Sequence, residues 1–161
     1  MISHEDLLKT LRYEPETGKF FWLIPKKGRR VGDEAGKTTN AGYRLITINK
    51  KGYLAHRLAW FYVNKCWPED VIDHINRNPL DNRIINLRAA TRTQNNYNAS
   101  QHANKTSGLK GVSWNRQRGA WSAQCKANGL RVFLGYFHDV HLAKEAYNTY
   151  MKSAVGEFFS E

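Results

Sequence analysis

The chain has 161 residues, with 25 Lys or Arg against 14 Asp or Glu and a formal net charge of +11. That length suits one compact domain or two small ones, and the positive excess points to a polyanionic partner, nucleic acid first. Two distant cysteines, Cys66 and Cys125, form no CxxC pair and argue against a structural zinc or a disulfide scaffold, and no apolar run approaches membrane-spanning length.

The first ten residues are polar apart from a short apolar pair, so no signal peptide is expected. Ser3 can cap a helix, HEDLLKTLRY, with Glu5 and Asp6 in its first turn and Leu7, Leu8 and Leu11 on its apolar face. Residues 14–18 read as a turn and residues 19–24 as a strand carrying Phe20, Phe21 and Trp22. Residues 25–30 form a basic loop whose Lys26, Lys27, Arg29 and Arg30 can touch phosphate or stay solvated. Residues 43–49 alternate as a strand. Lys50-Lys51-Gly52 supplies the turn and residues 53–55 begin the partner strand. The run HRLAWFYV, residues 56–63, predicts a buried helix with Leu58, Ala59, Phe61 and Tyr62 in the core, stopped by Trp67-Pro68. His56 at its start is either a core histidine or a group near reacting phosphate.

Residues 71–98, VIDHINRNPLDNRIINLRAATRTQNNYN, carry the most specific signal. A short apolar run ends in Asp73-His74. A loop follows whose Asn76, Asn78, Asp81 and Asn82 can hydrogen-bond their own backbone and, with Pro79, punctuate the chain. Residues 84–88 can pair back as a strand, and Thr91 can cap a short helix through Asn95 and Asn98. The order strand, loop, strand, helix is small enough to fold around one ion. Its chemistry suits phosphodiester hydrolysis. An imidazole at a strand end can take a proton from water. A hard cation beside it needs oxygen ligands, which Asp73 and a helix asparagine can supply. One helical step turns a side chain by about 100°, so Asn95 and Asn96 cannot both face the ion, and Asn98 shares the face of Asn95.

This ordered set resembles the HNH, or ββα-metal, nuclease motif, in the branch found in phage and intron-encoded homing endonucleases. The resemblance implies His74 as general base and Asp73 as metal ligand. It implies Asn86 as the asparagine that braces the loop and orients the histidine, and Asn95 as the helix ligand. Mg²⁺ is the implied ion, with Mn²⁺ a substitute. The pattern YEPETGKFFW resembles the opening of many phage HNH proteins, and His56-Arg57 precede their helix as in that family. Arg57, Arg88 and Arg92 are the DNA contacts expected from this half.

Residues 101–106 lack apolar periodicity and read as a linker. Beyond them three strands are expected, at residues 111–114, 120–127 and 130–137. Asn128-Gly129 is the hairpin turn, and Trp121, Ala123 and Cys125 share one face. A helix from about Asp139 repeats Leu142, Ala143, Ala146, Tyr147 and Tyr150 at helical spacing and ends at Gly156. One sheet face is thereby left open, and it is expected to present Arg116, Arg118, Gln124, Lys126 and Arg131, with Trp114 or Trp121 nearby. From residue 82 to residue 138 there is no Asp or Glu while nine Lys or Arg occur. A sheet of this size can enter the major groove. The segment 107–158 resembles the Apetala-type (ethylene-response-factor) DNA-binding domain through Gly111-Val112, Trp114, Trp121, Ala123, Leu134-Gly135, Phe137, Ala143 and Ala146-Tyr147. Gln124-Cys125-Lys126 replaces that family's usual glutamate-isoleucine-arginine run, so base preference does not transfer.

The expected fold is α+β: a ββα-metal HNH nuclease core followed by a three-stranded antiparallel sheet plus one helix. The expected domains are 1–100, with the motif core at 71–98, and 107–161, joined by the linker 101–106. The expected function is a homing-type DNA endonuclease whose carboxy-terminal domain selects the site. The partner is double-stranded DNA, with no membrane, in a reducing cytoplasm such as that of a phage host. No heptad or palindromic signal forces a dimer, so a monomer is expected. Two rivals stand beside this reading: a non-catalytic DNA-binding regulator with a decayed nuclease fold, and an RNA-binding protein.

Overall fold

In the computed structural model, which describes residues 1–98 and 107–159, the chain opens with α1 (His4–Thr10). The Asp6 backbone N–H donates to Ser3 Oγ at 3.1 Å, satisfying one of the donors a helix start leaves over. The helix is shorter than its sequence pattern suggests, because Leu11 turns extended at φ −133°, ψ 141°. Leu11 thus opens β1 (Leu11–Glu14), antiparallel to β2 (Lys19–Trp22), with Leu11 opposite Trp22 and Tyr13 opposite Phe20. The strand pairing buries Leu11, Tyr13, Phe20 and Trp22, and this burial outweighs helix propensity. Leu8, expected on the core face of α1, is exposed.

A three-stranded sheet follows, with β4 (Arg44–Ile48) between β3 (Lys37–Thr38) and β5 (Lys51–Leu54). The β4–β5 turn lies at Asn49-Lys50, one residue before the expected position. Both residues have positive φ, 49° and 65°, as a two-residue primed turn requires. The helix α2 (Ala55–Asn64) leaves β5 without a break and buries Ala55, His56, Leu58, Ala59 and Phe61. It stops at Lys65, which adopts a left-handed conformation at φ 60°, two residues before Trp67-Pro68. Leu7, Leu11, Phe20, Ile46, Leu58, Ile72 and Leu87 belong to one core cluster, so the nuclease-like hairpin shares its core with the elements before it.

That hairpin is β6 (Val71–His74) with β7 (Leu87–Ala90), in which Asp73 faces Arg88 and His74 faces Leu87. The expected second strand from residue 84 begins later, because Ile84–Asn86 form a single 3-10 turn first. The helix α3 (Arg92–Asn98) is capped reciprocally: Gln94 N donates to Thr91 Oγ1 at 3.2 Å, and Thr91 N donates to Gln94 Oε1 at 2.8 Å.

The chain divides into two compact units, Met1–Asn95 and Asn96–Glu161, so the division falls inside α3. The expected linker, residues 101–106, lies outside the described residues. The division comes earlier because Tyr97 packs with Cys125, Tyr147 and Met151, and its hydroxyl accepts from Asn128 N at 2.8 Å. In the second unit β9 (Ala120–Ala127) is central between β8 (Val112–Asn115) and β10 (Leu130–Phe137). Asp139 caps α4 (Val140–Val155) by accepting from His141 N and Leu142 N. The helix buries Ala143, Tyr147 and Met151, an i, i+4, i+8 row, while Leu142 is exposed, contrary to the expected apolar face.

Gly18, in the β1–β2 turn at φ 70°, touches the hairpin loop: a Cβ there would lie 2.4 Å from Arg83 N and 2.5 Å from the Asn82 carbonyl carbon. Gly18→Ala is therefore expected to destabilise the protein by about 2 kcal/mol or more in urea unfolding, with an unchanged m-value. Gly28→Ala, at φ 76° with no atom within 4 Å of the added carbon, should cost only the left-handed backbone term of about 1–2 kcal/mol.

Candidate active site and nucleic-acid surface

The β6 strand ends in three buried residues, Ile72, Asp73 and His74. Ile72 enters the core, while Asp73 and His74 bring polar groups into the interior and need partners. Asp73 is 3% exposed and receives Arg88 from the facing position on β7. Arg88 Nε donates to Asp73 Oδ2 at 2.8 Å, with Nη2 at 2.7 Å from the same oxygen. This is a cross-strand ion pair shielded from solvent on both sides.

His74 is 6% exposed, and its Nε2 lies 3.1 Å from Asn82 Oδ1. The HNH resemblance implied that Asn86 braces the loop and orients the histidine; the bond to the ring comes from Asn82. Asn86 lies in the loop as that brace. Its Nδ2 donates to Asn76 Oδ1 at 3.0 Å and to the Asp81 carbonyl at 2.8 Å, and its Oδ1 accepts from Asn76 N at 3.0 Å. Within the loop, Arg83 Nε and Nη2 donate to the two carboxylate oxygens of Asp81 at 2.7 and 2.6 Å. The Arg83 guanidinium holds the Asp81 carboxyl down at about 2.

His56 packs edge-on against His74, ring centroids 5.0 Å apart at 78°, with Tyr43 beside both rings. His56 is buried and its Nδ1 has no hydrogen-bond partner. Burial, then the charges that His74 and Arg57 would present, lower its pKa to about 3, so His56 is neutral at ordinary pH. Burial also lowers the pKa of His74, against the opposing pull of Asn82, Asp73 and Asp81. A neutral imidazole with a lone pair is the form in which histidine accepts a proton.

The remaining motif residues are spread more widely. Arg57, expected at DNA, donates from Nη1 to the Asp70 carbonyl at 2.8 Å and from Nη2 to the Pro68 carbonyl at 3.2 Å. It tethers the entry to β6 and so performs a scaffold role. Arg88 holds Asp73, and Arg92 is exposed at the start of α3. Asn95 is half-buried with its N–H donating to the Thr91 carbonyl at 2.9 Å, whereas Asn96 is exposed and Asn98 is 2% exposed. Asp73 and an asparagine amide are hard oxygen donors, the kind that Mg²⁺ takes together with water and phosphate oxygens. Among the described residues no group of three or more His, Cys, Asp or Glu side chains clusters. A bound cation would thus draw part of its shell from amide, water and substrate oxygen.

In the second unit, Gln124 and Lys126 alternate with buried Ala123, Cys125 and Ala127 along β9, giving an open face away from the core side. Lys126 stands opposite Arg131, Gln124 opposite Phe133, and Ser122 opposite Tyr136. Like charges directly opposite repel, a penalty that an anion relieves. Trp114 and Trp121 face each other, ring centroids 5.1 Å apart, but on the side of Val112 and Ala123, where Trp121 packs against the core cluster holding Ala143. The expectation that they flank the open face is corrected by the strand alternation.

Phe133 and Tyr136 take that place, at 56% and 41% exposure, with ring centroids 4.9 Å apart and the Arg118 guanidinium 4.8 Å above the Tyr136 ring. A residue and its third neighbour normally point to opposite sides of a strand. A register shift between Phe133 and Gly135 brings both rings to one face. The unbroken apolar run of β10 concealed these residues, and Gly135, a usual bulge residue, was the available signal. Arg116 is exposed in the β8–β9 turn.

Residues 53–97 match the family model described as HNH endonuclease. The chain is 39% identical over 75 residues to Protein 3.8 of Escherichia phage T7, covering 46% of this chain and 62% of that protein. It is 28% identical over 145 residues to the uncharacterized HNH endonuclease L560 of Acanthamoeba polyphaga mimivirus, covering 89% of this chain and 67% of the relative. The chain thus spans about three fifths to two thirds of the length of these relatives. No solved structure matches. The segment around Asp73-His74 is thus similar to HNH endonuclease domains over residues 53–97. Among the described residues no helix is long and apolar enough to cross a membrane.

The depressed histidines set a pH dependence. An unfolded histidine protonates near 6.5 while folded His56 resists protonation to about 3, so stability is fully present above 6.5 and falls as pH drops through that window. Each unit below about 6.5 costs about 1.4 kcal/mol for this one group, and His74 adds in the same sense. Urea midpoints between pH 7 and 5 are expected to fall more steeply for the wild type than for His56→Phe.

Proposed function

We propose that this chain is a metal-dependent DNA endonuclease of the homing type, cutting phosphodiester bonds at sites that the carboxy-terminal sheet selects. The observation that carries this reading is the buried pair at the end of β6: an anionic Asp73 matched by Arg88, beside a neutral His74 whose ring is held through Nε2. A carboxylate adjacent to an unprotonated imidazole is the combination that hydrolysis of a phosphodiester needs, one group to hold a cation and one to accept the proton of water. His74 takes that proton as the water oxygen attacks phosphorus and the P–O bond to the leaving sugar oxygen breaks. Asp73 and Asn95 would hold Mg²⁺ or Mn²⁺, which when bound supplies charge stabilisation at the phosphate and leaving oxygen. Asn86 keeps the loop closed over this corner.

The open face of the second unit supplies duplex affinity in this reading. Arg131, Lys126, Arg116 and Arg118 meet phosphate or base edges, and Gln124 faces bases. Phe133 and Tyr136 offer apolar contact of the kind a thymine methyl takes. The rival regulator reading draws on the same Arg88–Asp73 pair, since a carboxylate satisfied by arginine can serve structure alone. Plasmid DNA incubated with the protein and Mg²⁺ separates the two, because nicked or linear product requires the enzyme.

His74→Ala is expected to lower cleavage by about 10²–10⁴-fold with DNA binding nearly intact. Asp73→Ala should also abolish cleavage, and Asn95→Ala should lower it more than Asn96→Ala; the reverse order for the two asparagines would reassign the helix ligand. For the sheet, Arg131→Ala or Lys126→Ala should each flatten the slope of log affinity against log salt by about 0.9 in mobility-shift titrations. A slope unchanged in both variants removes this face from the interface.

A further inference from the structure

Asn82 was legible in the sequence only as loop punctuation, yet it is 3% exposed and meets the imidazole of His74. Its amide cannot be turned around without loss. Asn82 Nδ2 donates to the Leu80 carbonyl at 3.2 Å, so Oδ1 is the atom that faces the ring. The reversed amide would set oxygen against the Leu80 carbonyl, two acceptors face to face. An amide oxygen accepts and cannot donate. The ring nitrogen opposite it must therefore carry the hydrogen, and a neutral imidazole carries only one.

The Asn82 backbone is held from the β1–β2 hairpin. Tyr13 Oη donates to the Asn82 carbonyl at 2.8 Å in a buried bond, and Gly18 lies against the Asn82–Arg83 peptide where a Cβ would collide. His56, edge-on at 5.0 Å, and Tyr43 flank the ring of His74. Asn86 makes its bonds within the loop. The two asparagines thus divide the work: one closes the loop and the other faces the imidazole.

We infer that Asn82 is a positioning residue that holds His74 as the Nε2–H tautomer, so that Nδ1 is the nitrogen that accepts the proton of the attacking water. In the opposite tautomer the Nε2 lone pair would face the Asn82 oxygen, and the basic nitrogen would be turned into the loop. The role in catalysis rests on the nuclease reading above; the tautomer itself does not.

The test uses full-length, ¹⁵N-labelled protein and long-range proton–nitrogen correlation of the histidine rings, with His74 assigned through its disappearance in His74→Gln. The expected wild-type spectrum at neutral pH shows His74 with hydrogen on Nε2. Asn82→Asp, which keeps an acceptor oxygen toward the ring although its second oxygen loses the bond to the Leu80 carbonyl, should keep hydrogen on Nε2, as neutral ring or imidazolium. Asn82→Ala should convert it to a mixture of tautomers and lower kcat by about 10²-fold with KM for DNA unchanged. Wild-type His74 carrying its hydrogen on Nδ1 overturns the inference whatever the protein cleaves, and so does an Asn82→Ala protein that is folded and retains the pure Nε2–H form. Should Asn82→Ala fail to fold, the wild-type and Asn82→Asp spectra decide. An Nε2–H wild type whose His74→Ala variant cleaves at full rate sinks the assignment of the base and leaves the tautomer standing.

Discussion

A carboxylate removed from water loses several kcal/mol of solvation unless a cation meets it. In β6 that cation comes from the facing strand, because Asp73 and Arg88 occupy opposed positions of an antiparallel pair. The same contact fixes register. A slip of one residue would turn the carboxylate away from its arginine and send Ile72 out of the core, so polar and apolar demands select one alignment. His74, one residue further, inherits its place from that alignment. The site therefore depends on a short hairpin that the remainder of the amino-terminal unit would otherwise only bury.

The loop between the strands is organised by amide groups. Asn76, Asn78, Asn82 and Asn86 bond backbone or each other, and Asp81 locks Arg83. Such a loop has little apolar content to hold it, so hydrogen bonds with fixed donors and acceptors set its shape. The β1–β2 hairpin completes the structure from outside the motif: Tyr13 and Gly18 reach Asn82 across the chain. This gives the aromatic hairpin that precedes the HNH-like segment a structural part in holding that loop.

The second unit shows the opposite economy of design, with a sheet whose covered face is filled by small residues and whose open face is left wet. Ala123, Cys125 and Ala127 allow α4 to approach closely with Tyr147 and Met151. The register shift at Gly135 then turns two aromatic rings toward solvent next to Lys126, Arg131 and Arg118. Rings and cations on one exposed face form a surface suited to a polyanion that also has apolar edges.

Relations within a few residues were legible in the chain itself. The Ser3, Thr91 and Asp139 caps, the Asn128-Gly129 turn, strands β9 and β10 and the Asp73-His74 pair all follow from local backbone chemistry. The long carboxylate-free stretch, which includes the open sheet, is a matter of composition and needs no fold to see. What tertiary structure decided was which group meets which. Asn82, not Asn86, faces the histidine; Arg57 tethers a strand; Trp121 turns to the core; Met151 is buried in place of Leu142. Four asparagines in one loop are equivalent by spacing, and a partner such as Tyr13 lies 69 residues from the carbonyl it bonds. Caps and turns are properties of a segment, whereas burial and partner choice are properties of the surfaces that folding brings together, and only the packed chain contains those.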